Sequence, residues 1–577
     1  MDRKPWLTHY EDGVPPTLRP YPQRTLVDVV ADTAKQRPNH TAVLFKGARL
    51  SYRKLERLSD AFAAALVDFG VKKGDRVALL LPNTPQLIIG QLGVWKAGGI
   101  VSPMNPLYSE LELEKLLGES GAEIALVLTP FYAKVKAIQP RTSLRLVIAT
   151  NIKEYLPPHM RFLFTIAKEK KEGHRIVLQP EDVWLGDVLH KYQGRPRPNI
   201  AVQPDDPAIL LFTGGTTGTP KAAVGLHQGL LMSGMQFQAW FLGIMEHWKD
   251  RIFLRLPLFH VYAQAAVLPT ALVGHHPLIL VPNPRDLDDT LATIHKARPA
   301  FVPGVPTLFN ALLNHPEVKA HKVDLTSVKL CVSAAAPLML ETKQQFERLT
   351  GGHIIEGYAL TESMCAAVAT PPRGLYKRGA IGLPLPDVEV RIVDATAGER
   401  EMETGEIGEI VMRAPQIMSG YWNDPAETAE AIRDGWLFTG DLGYLDADGY
   451  LFIVDRKKDL IKCGGFQVWP REVEEVLATH PAVSEVGVAG VVDAHSGEAV
   501  KAWVVLREGQ QATVDELRDY CRARLSHYKV PKYIEFKEAL PKSMIGKILR
   551  RELVAGEGSA APPSPDPPEV TPVKVSG

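Results

Sequence analysis

The strongest constraint on the fold is an alternation of short apolar runs with helical stretches between residues 76 and 128. Apolar runs at Val77–Leu81, around Ile100 and at Ile124–Leu128 are separated by helical patterns at Gln86–Ala97 and Ser109–Glu119. This order of strands and helices predicts a parallel sheet with helices on its faces, and therefore the α/β class. Because the chain has 577 residues, at least two domains are expected.

The balance of charges and the cysteines limit the class of protein. Lys plus Arg and Asp plus Glu both number 66, so the formal net charge is zero, and no basic excess predicts a nucleic-acid partner. The four cysteines are far apart without CxxC pairing, which argues against a zinc site or disulfide framework and favours a reducing compartment. With no apolar leader and no run of about 18 apolar residues, the sequence predicts a cytoplasmic protein.

One loop has the composition of a phosphate-binding segment. Directly after the apolar run 208–212, residues 213–221 read Thr-Gly-Gly-Thr-Thr-Gly-Thr-Pro-Lys. Glycines let backbone N–H groups turn toward an anion, while threonine hydroxyls and Lys221 add donors and a positive charge. The spacing differs from the P-loop GxxxxGK[ST]. Taken alone, the run is equally typical of a plain surface loop.

Further segments give the loop a context. They are Glu356–Glu362, Trp436–Asp441, Asp455–Lys462 and Leu540–Arg550. Together with the loop, they make the chain resemble the adenylate-forming superfamily of acyl-CoA synthetases, luciferases and peptide-synthetase adenylation domains, and within it the bacterial long-chain fatty acid–CoA ligases. The resemblance covers roughly residues 20 to 555.

The resemblance implies a domain organisation. A large N-terminal multi-layer α/β domain is expected over residues 1–455, followed by a smaller, mobile α+β domain over residues 456–555. The tail 556–577 is rich in proline and nearly free of large apolar residues, so burial cannot offset its ordering entropy and disorder is expected.

The resemblance also implies the reaction and its cofactors. ATP converts a medium- to long-chain fatty acid to an acyl-AMP with release of pyrophosphate, and the thiol of coenzyme A then attacks. ATP, Mg²⁺ and coenzyme A are the implied cofactors. Alternatives are a ligase for aryl or shorter acids, a loader of a carrier protein, and a non-catalytic protein that retains the fold.

Catalytic roles follow from the same resemblance. Lys547 corresponds to the mobile catalytic lysine, and loss of such a preorganised donor typically costs on the order of 10² to 10³ in rate. Glu362 corresponds to the Mg²⁺ carboxylate, with Thr213 as a second candidate ligand. Asp455 corresponds to the hinge. His260 corresponds to a position between the acyl pocket and the approaching thiol, although a lone histidine beside aromatic residues is also typical of a core.

Binding roles complete the predicted site. Two carboxylate oxygens suit Asp441 to the ribose hydroxyls, and the Tyr358 ring can stack on adenine. The residues implied to contact ATP are Thr213, Gly214, Gly215, Thr216, Thr217, Gly218, Thr219, Lys221, Ala335, Glu356, Gly357, Tyr358, Thr361, Asp441 and Arg456. Gly464, Gly465 and Phe466 are implied to approach the pantetheine of coenzyme A.

Residues 151–176 form an insertion with two open interpretations. A short apolar, aromatic stretch at 160–166 is followed by Lys168, Lys170 and Lys171. Such a helix can rest on an anionic bilayer, where each lysine contributes about 1 kcal/mol, or it can pack on the core with a solvated end. The first alternative would place the enzyme peripherally at the inner face of the membrane. The oligomeric state stays open, with a homodimer as one alternative.

Overall fold

The computed structural model describes residues 4–213, 220–463, 466–493, 497–542 and 548–555. The chain divides into two compact units between Ile453 and Val454. Some predicted site residues lie outside the described ranges, as does the tail 556–577; these residues are Gly214, Gly215, Thr216, Thr217, Gly218, Thr219, Gly464, Gly465 and Lys547.

The first unit contains alternating strands and helices. Its strands are β1 (Thr41–Phe45), β2 (Ala48–Ser51), β3 (Arg76–Leu80), β4 (Ile100–Pro103), β5 (Ile124–Leu128), β6 (Leu146–Thr150), β7 (Val183–Trp184), β8 (Pro207–Thr213), β9 (Lys221–Leu226), β10 (Ile252–Leu254), β11 (Leu278–Leu280), β12 (Phe301–Gly304), β13 (Leu330–Ala334), β14 (His353–Tyr358), β15 (Val368–Ala369), β16 (Leu383–Pro384), β17 (Glu389–Val393), β18 (Gly408–Arg413), β19 (Ile432–Arg433), β20 (Trp436–Leu445) and β21 (Leu451–Arg456), the last of which continues into the second unit. Its α-helices are α1 (Leu26–Gln36), α2 (Tyr52–Asp68), α3 (Pro85–Lys96), α4 (Glu110–Ser120), α5 (Tyr132–Ile138), α6 (Pro158–Ala167), α7 (Leu185–Lys191), α8 (His227–Trp240), α9 (Leu268–Val273), α10 (Leu287–Ala297), α11 (Pro306–Asn314), α12 (Pro316–Lys319), α13 (Leu340–Thr350) and α14 (Pro425–Ala431). Among the described residues, every helix is too short or too polar to span a bilayer.

These strands form three sheets. One has the order β16-β15-β14-β13-β12-β10-β11-β1-β2, and another the order β7-β6-β5-β3-β4-β8-β9. A third joins β17, β18, β20 and β19, with β21 beside β20. Strands β10 to β14 run parallel, as do β3 to β6. Their carboxyl ends therefore meet along one edge of each sheet, where ligands of α/β proteins bind.

Local sequence explains the first helices and strands. Ser51 caps α2 by accepting a hydrogen bond from the Lys54 N–H at 3.4 Å, and Ser109 and Glu112 form a capping box at α4. Every residue of β5 is buried, as expected for a parallel strand covered on both faces. Every residue of α3 is buried too, which explains why its pattern is apolar all round.

Close packing of α3 depends on glycine. A Cβ added at Gly93 would lie 2.5 Å from Cδ1 of Phe62 on α2, and one added at Gly90 would lie 2.6 Å from Cδ2 of Leu126 on β5. Both distances are far below ordinary contact. The two glycines therefore allow α3 to approach its neighbours closely.

The second unit is an α+β fold of its own. It contains β22 (Ile461–Cys463), β23 (Phe466–Val468), β24 (Val483–Asp493), β25 (Gly497–Leu506), β26 (Tyr533–Phe536), α15 (Pro470–Ala478), α16 (Val514–Arg522) and α17 (Arg550–Ala555). The strand order is β23-β22-β25-β24, with β26 beside β25. Val473 and Leu477 of α15 pack with Val488 of β24 in its core.

Candidate active site

The carboxyl ends of β13 and β14 place the predicted adenine-binding residues side by side. Ala334 pairs with Gly357, and Ser333 pairs with Glu356. Ala335, the first residue after β13, has a φ of 72°. An alanine in the left-handed region is strained by its Cβ, and such strain is concentrated at functional sites. The Glu356 carboxylate is buried and accepts a hydrogen bond from the Leu338 N–H at 3.0 Å, which holds the turn after β13 against β14.

Two predicted nucleotide-binding residues are hydrogen-bonded to each other. The Tyr358 hydroxyl, at the end of β14, donates to Asp441 Oδ2 at 2.7 Å. Asp441 lies on β20 and is buried, and its N–H donates to the Thr439 hydroxyl at 3.1 Å. The hydrogen bond fixes the carboxylate beside the aromatic ring. The pair has the donor and acceptor groups that a ribose and its base require.

The predicted phosphate loop closes a hairpin. Thr213 is the last residue of β8 and Lys221 the first of β9, and the two pair directly across the hairpin. The loop between them, 214–219, lies outside the described residues. The Lys221 ammonium forms an ion pair with Glu427 and lies 5.5 Å from the centre of the Tyr421 ring. Lys221 is therefore held at the base of the loop with its positive charge facing Tyr421.

Tyr421 connects this lysine to the predicted metal ligand. The Tyr421 hydroxyl donates to Glu362 Oε1 at 2.9 Å. Burial, and next the negative charge of Glu362, raise the pKa of Tyr421 well above its usual range, so the hydroxyl stays protonated and remains a donor. Backbone hydrogen bonds from the Val224 N–H to the Gly420 carbonyl and from the Trp422 N–H to the Ala222 carbonyl tie Tyr421 to β9.

The residues near Glu362 fit a magnesium ion that is held mainly by a substrate. Among the described residues, no cluster of three or more His, Cys, Asp or Glu side chains is arranged to hold a metal. The predicted oxygen donors are Glu362, whose Oε1 accepts from Tyr421, and the Thr213 hydroxyl. Mg²⁺ commonly binds through one or two carboxylates and keeps waters and substrate phosphates as its other ligands. Thr361 precedes Glu362, and its carbonyl accepts from the Met364 N–H at 3.1 Å.

His260 lies two residues before a tyrosine that is hydrogen-bonded to β13. The Tyr262 N–H donates to His260 Nδ1 at 3.2 Å, and the Tyr262 hydroxyl donates to the Val332 carbonyl of β13 at 2.9 Å. The chain continues as a π-helix over Tyr262–Val267, a rare geometry that is frequent at functional sites. These contacts tie the side chain of Tyr262, two residues after His260, to β13.

The second unit holds the remaining described candidates. The buried Asp455 carboxylate accepts from the N–H groups of Arg456 and Arg471, both at 2.7 Å, and from Arg550 at 3.4 Å. Arg550 also donates to both oxygens of Glu474. Phe466 is exposed and stacks on Tyr528 with ring centres 4.6 Å apart. Asp455 is thus anchored by its carboxylate, while Phe466 presents an apolar surface to solvent.

Two family models match the chain. One, described as AMP-binding enzyme, matches residues 30–422, and the other, described as AMP-binding enzyme C-terminal domain, matches residues 472–547. The chain belongs to the AMP-binding enzyme family. The predicted superfamily and the predicted α/β fold with a large N-terminal and a smaller C-terminal domain are both confirmed.

Individual relatives of this AMP-binding enzyme span nearly the whole chain. It is 40% identical to a long-chain-fatty-acid–CoA ligase of Bacillus subtilis (strain 168), over 96% of this chain and 99% of that protein. It is 37% identical to a long-chain-fatty-acid–CoA ligase of Escherichia coli O157:H7, over 96% and 98% of the two chains. The solved structure of the anthranilate CoA ligase AuaEII in complex with anthranoyl-AMP matches this chain with a TM-score of 0.81 and 26% sequence identity. The match covers 93% of this chain and 98% of that one.

Some features of the site have no clear signal in the sequence. Tyr421 and Glu427 lie in a segment without a motif. They become relevant only because Tyr421 contacts Glu362 and Glu427 contacts Lys221 in the folded chain. The strained backbone at Ala335 and the π-helix after His260 are also not predicted by the residue types in those segments. Trp240, at the end of α8, is buried, and its indole N–H donates to the Thr370 carbonyl at 3.2 Å.

Proposed function

We propose that this AMP-binding enzyme joins a medium- to long-chain fatty acid to coenzyme A through an acyl-AMP intermediate. The observation that carries the proposal is the arrangement of one short segment. Tyr358 holds Asp441 at one end, and Glu362 binds Tyr421 beside Lys221 at the other. A ribose-binding end and a phosphate-binding end are therefore four residues apart on one piece of chain.

This arrangement suits attack of a carboxylate on an α-phosphate. We expect Asp441 to orient the ribose, and Lys221 and the hydroxyl of Thr213 to bind the outer phosphates that leave as pyrophosphate. Magnesium, held by Glu362 and the phosphates, would neutralise charge on the departing group. Long-chain acids are favoured because the curated relatives that cover nearly the whole chain carry that name.

Substrate class is tested by the release of AMP. Purified enzyme with Mg²⁺, ATP and coenzyme A is given acids from acetate to oleate, and an aryl acid. We expect AMP release with the longer fatty acids. A preference for acetate or the aryl acid would contradict the proposed substrate class. Thioester formation with free coenzyme A separates a ligase from a carrier-protein loader, and no AMP release with any acid would refute the reaction.

Lys547 carries the first prediction, on the basis of its position in the family motif. Lys547→Ala is expected to abolish ATP–pyrophosphate exchange while thioester formation from supplied acyl-adenylate stays largely intact, because the lysine donates to the reacting carboxylate and α-phosphate. Both half-reactions are measured on the same preparation. Lys542→Ala is a matched control, since its side chain pairs with Glu485. Equal loss of both half-reactions would contradict the assigned role.

We propose further that α6 contacts an anionic membrane surface. The absence of any fully buried residue in α6 favours the membrane alternative over core packing. Phe162, Leu163 and Ile166 are exposed by 65%, 56% and 66%, a concentration that is unusual on a free surface. Exposed basic residues flank them: Arg161, Lys168, Lys170, Lys171 and Arg175.

The segment is anchored to the protein through Glu169 and Phe164, while Phe162, Leu163 and Ile166 stay exposed. The buried Glu169 pairs with Lys153 at 2.5 Å and accepts from the Asn151 amide at 3.1 Å. The ring of Phe164 packs edge-on against His174 at 5.2 Å. Basic residues around an exposed apolar helix complement the negative charge of phospholipid headgroups. Such a contact would bring the enzyme to the surface from which a fatty acid arrives.

Vesicle sedimentation tests the membrane contact. A variant that combines Phe162→Ser, Leu163→Ser and Ile166→Ser is expected to bind phosphatidylglycerol vesicles at least tenfold more weakly. The reason is that most of the apolar area that would enter the bilayer is lost. Leu111→Ser, at an exposed residue of α4, serves as the control. Equal binding to phosphatidylcholine, or no change in the triple variant, would contradict the proposal. Light scattering of the same preparations decides whether the chain is a monomer or the alternative homodimer.

A further inference from the structure

Arg255 lies at the carboxyl edge of a sheet and forms no ion pair with a carboxylate among the described residues. It directly follows β10, whose carboxyl end shares an edge with those of β12 and β13. It is partly buried, its guanidinium donates to the Pro284 carbonyl, and its Nε has no hydrogen-bond partner among the described residues. Burial alone lowers the pKa of Arg255 to about 10, so the group stays charged at neutral pH.

Nearby carboxylates are engaged with other groups. In the first turn of α10, just beyond Pro284, Asp286 accepts from the Asp289 N–H at 2.8 Å. Asp288 bonds His315 at 3.0 Å, and Asp289 forms an ion pair with Lys46. Among the described residues, the partly buried Arg255 guanidinium therefore bonds a neutral carbonyl, and its Nε is left to bind a further acceptor. Its retention is explained if an anion from outside the chain completes its environment.

The backbone around Arg255 is held rigidly. The buried Asn83 amide donates to the carbonyls of Leu254 and Leu256 at 3.1 and 2.8 Å, and its oxygen accepts from the Leu258 N–H at 3.0 Å. These three hydrogen bonds hold the backbone on both sides of Arg255. A side chain on a fixed backbone loses less entropy when it binds a ligand, and the site is therefore preorganised.

The residue after Asn83, Thr84, carries a buried hydroxyl without a hydrogen bond among the described residues. Thr84 is the residue before α3 and is fully buried, yet its hydroxyl makes no hydrogen bond among the described residues and does not cap the helix. The N-terminus of a twelve-residue helix such as α3 favours anions, phosphate in particular. Asn83 brings this helix end and the segment that carries Arg255 together.

We infer that Arg255, which lies between two residues whose carbonyls accept from the Asn83 amide just before α3, binds a phosphate group of coenzyme A, and that the 3′-phosphate is the group recognised. The inference rests on the proposed ligase activity. ATP has the β8–β9 loop and Lys221 for its phosphates, and the fatty carboxylate must lie against the α-phosphate. Coenzyme A carries the remaining phosphates, and a guanidinium binds phosphate through two parallel hydrogen bonds.

The test measures kcat/KM of the unaltered enzyme with coenzyme A and with 3′-dephospho-coenzyme A. We expect kcat/KM to be about tenfold to a hundredfold lower for the dephospho form, as for loss of a hydrogen-bonded charge pair. In Arg255→Gln the value for coenzyme A should fall to that for the dephospho form, and Arg255→Lys should retain part of the discrimination. ATP–pyrophosphate exchange, which needs no coenzyme A, should stay unchanged.

The control is Arg251→Gln at the opposite end of β10, where the side chain donates to the Ala297 carbonyl at 2.7 Å. Equal loss with both forms of coenzyme A in Arg255→Gln, or no discrimination by the unaltered enzyme, would overturn the inference. A raised KM for ATP in the exchange assay would assign Arg255 to the nucleotide instead and would also overturn it. Intact exchange without discrimination refutes this inference alone, whereas absence of exchange and AMP release refutes the ligase reaction.

Discussion

Tyr421 links the phosphate side of the site to the predicted metal ligand. In Tyr421→Phe the hydrogen bond to Glu362 is lost, while the ring that faces Lys221 remains. We expect kcat/KM for ATP to fall about tenfold, the usual effect of one hydrogen bond to a charged group, and the Mg²⁺ concentration for half-maximal exchange to rise. Pyrophosphate exchange across a magnesium titration measures both.

The control for this substitution is Tyr444→Phe on β20, where the ring stacks on Phe452 at 4.7 Å. An unchanged magnesium requirement in Tyr421→Phe would mean that the hydroxyl does not position Glu362. A fall in thermal stability without any change in exchange would assign Tyr421 to structure alone.

Single residues show why only part of the site was predictable. Lys221, Glu362 and Asp441 stand in motifs whose residue types and order point to nucleotide chemistry. Tyr421 does not, because its importance comes from a contact across 59 positions of the chain. The φ of 72° at Ala335 depends on how the turn after β13 is held, which no local preference of alanine indicates.

At the level of elements, buried histidines between α9 and β11 make stability depend on pH. His276 is fully buried, its Nδ1 bonds the Asp250 carbonyl at 2.9 Å, and burial lowers its pKa to about 4. His275 stacks on Trp248 at 3.8 Å, and burial lowers its pKa to about 4 as well. The unfolded chain therefore binds more protons between about pH 6.5 and pH 4, and stability falls as pH falls through this window.

For His276 this loss is about 2 kcal/mol between pH 7 and pH 5. Thermal unfolding at the two pH values measures it. We expect the decrease in Tm on acidification to be smaller in His276→Gln than in the unaltered enzyme. His159→Gln, at an exposed residue of α6, should leave the decrease unchanged. An identical decrease in His276→Gln would show that other groups cause the acid sensitivity.

Elements with a strong period were predictable, and those set by tertiary packing were not. Strand β5 occupies the predicted Ile124–Leu128, and α3 is displaced from its predicted bounds by one residue at each end. The sequence of α6 left membrane and core alternatives open, because the same aromatic residues suit either environment. Only the folded chain reveals that its apolar side is exposed.

For the whole molecule, the parallel sheet followed from the alternation of strands and helices, since a connection between adjacent parallel strands needs a crossover. The division into three sheets did not follow. Strand β1 pairs with β11, more than 200 residues away along the chain, and short strands such as β15 have no distinctive period. Pairing between distant segments depends on the complete core rather than on local preference.

The hinge prediction concerns the molecule as a whole. The resemblance drawn from the sequence predicts that the small domain rotates between two half-reactions and that Asp455 is the pivot. Asp455→Pro restricts φ at this residue and also removes the carboxylate that binds the Arg456 and Arg471 N–H groups. We expect thioester formation from supplied acyl-adenylate to fall at least tenfold while ATP–pyrophosphate exchange falls much less.

Asp455→Ala separates the two effects of the proline, because it removes the same carboxylate and leaves φ free. If restriction of the pivot is the cause, Asp455→Ala retains much more thioester formation than Asp455→Pro, and both variants keep exchange. If the carboxylate matters only for holding α15 and Arg550 in the second unit, both variants lose thioester formation equally and melt at lower temperature. That result would remove Asp455 from the role of pivot and assign it to the stability of the small unit.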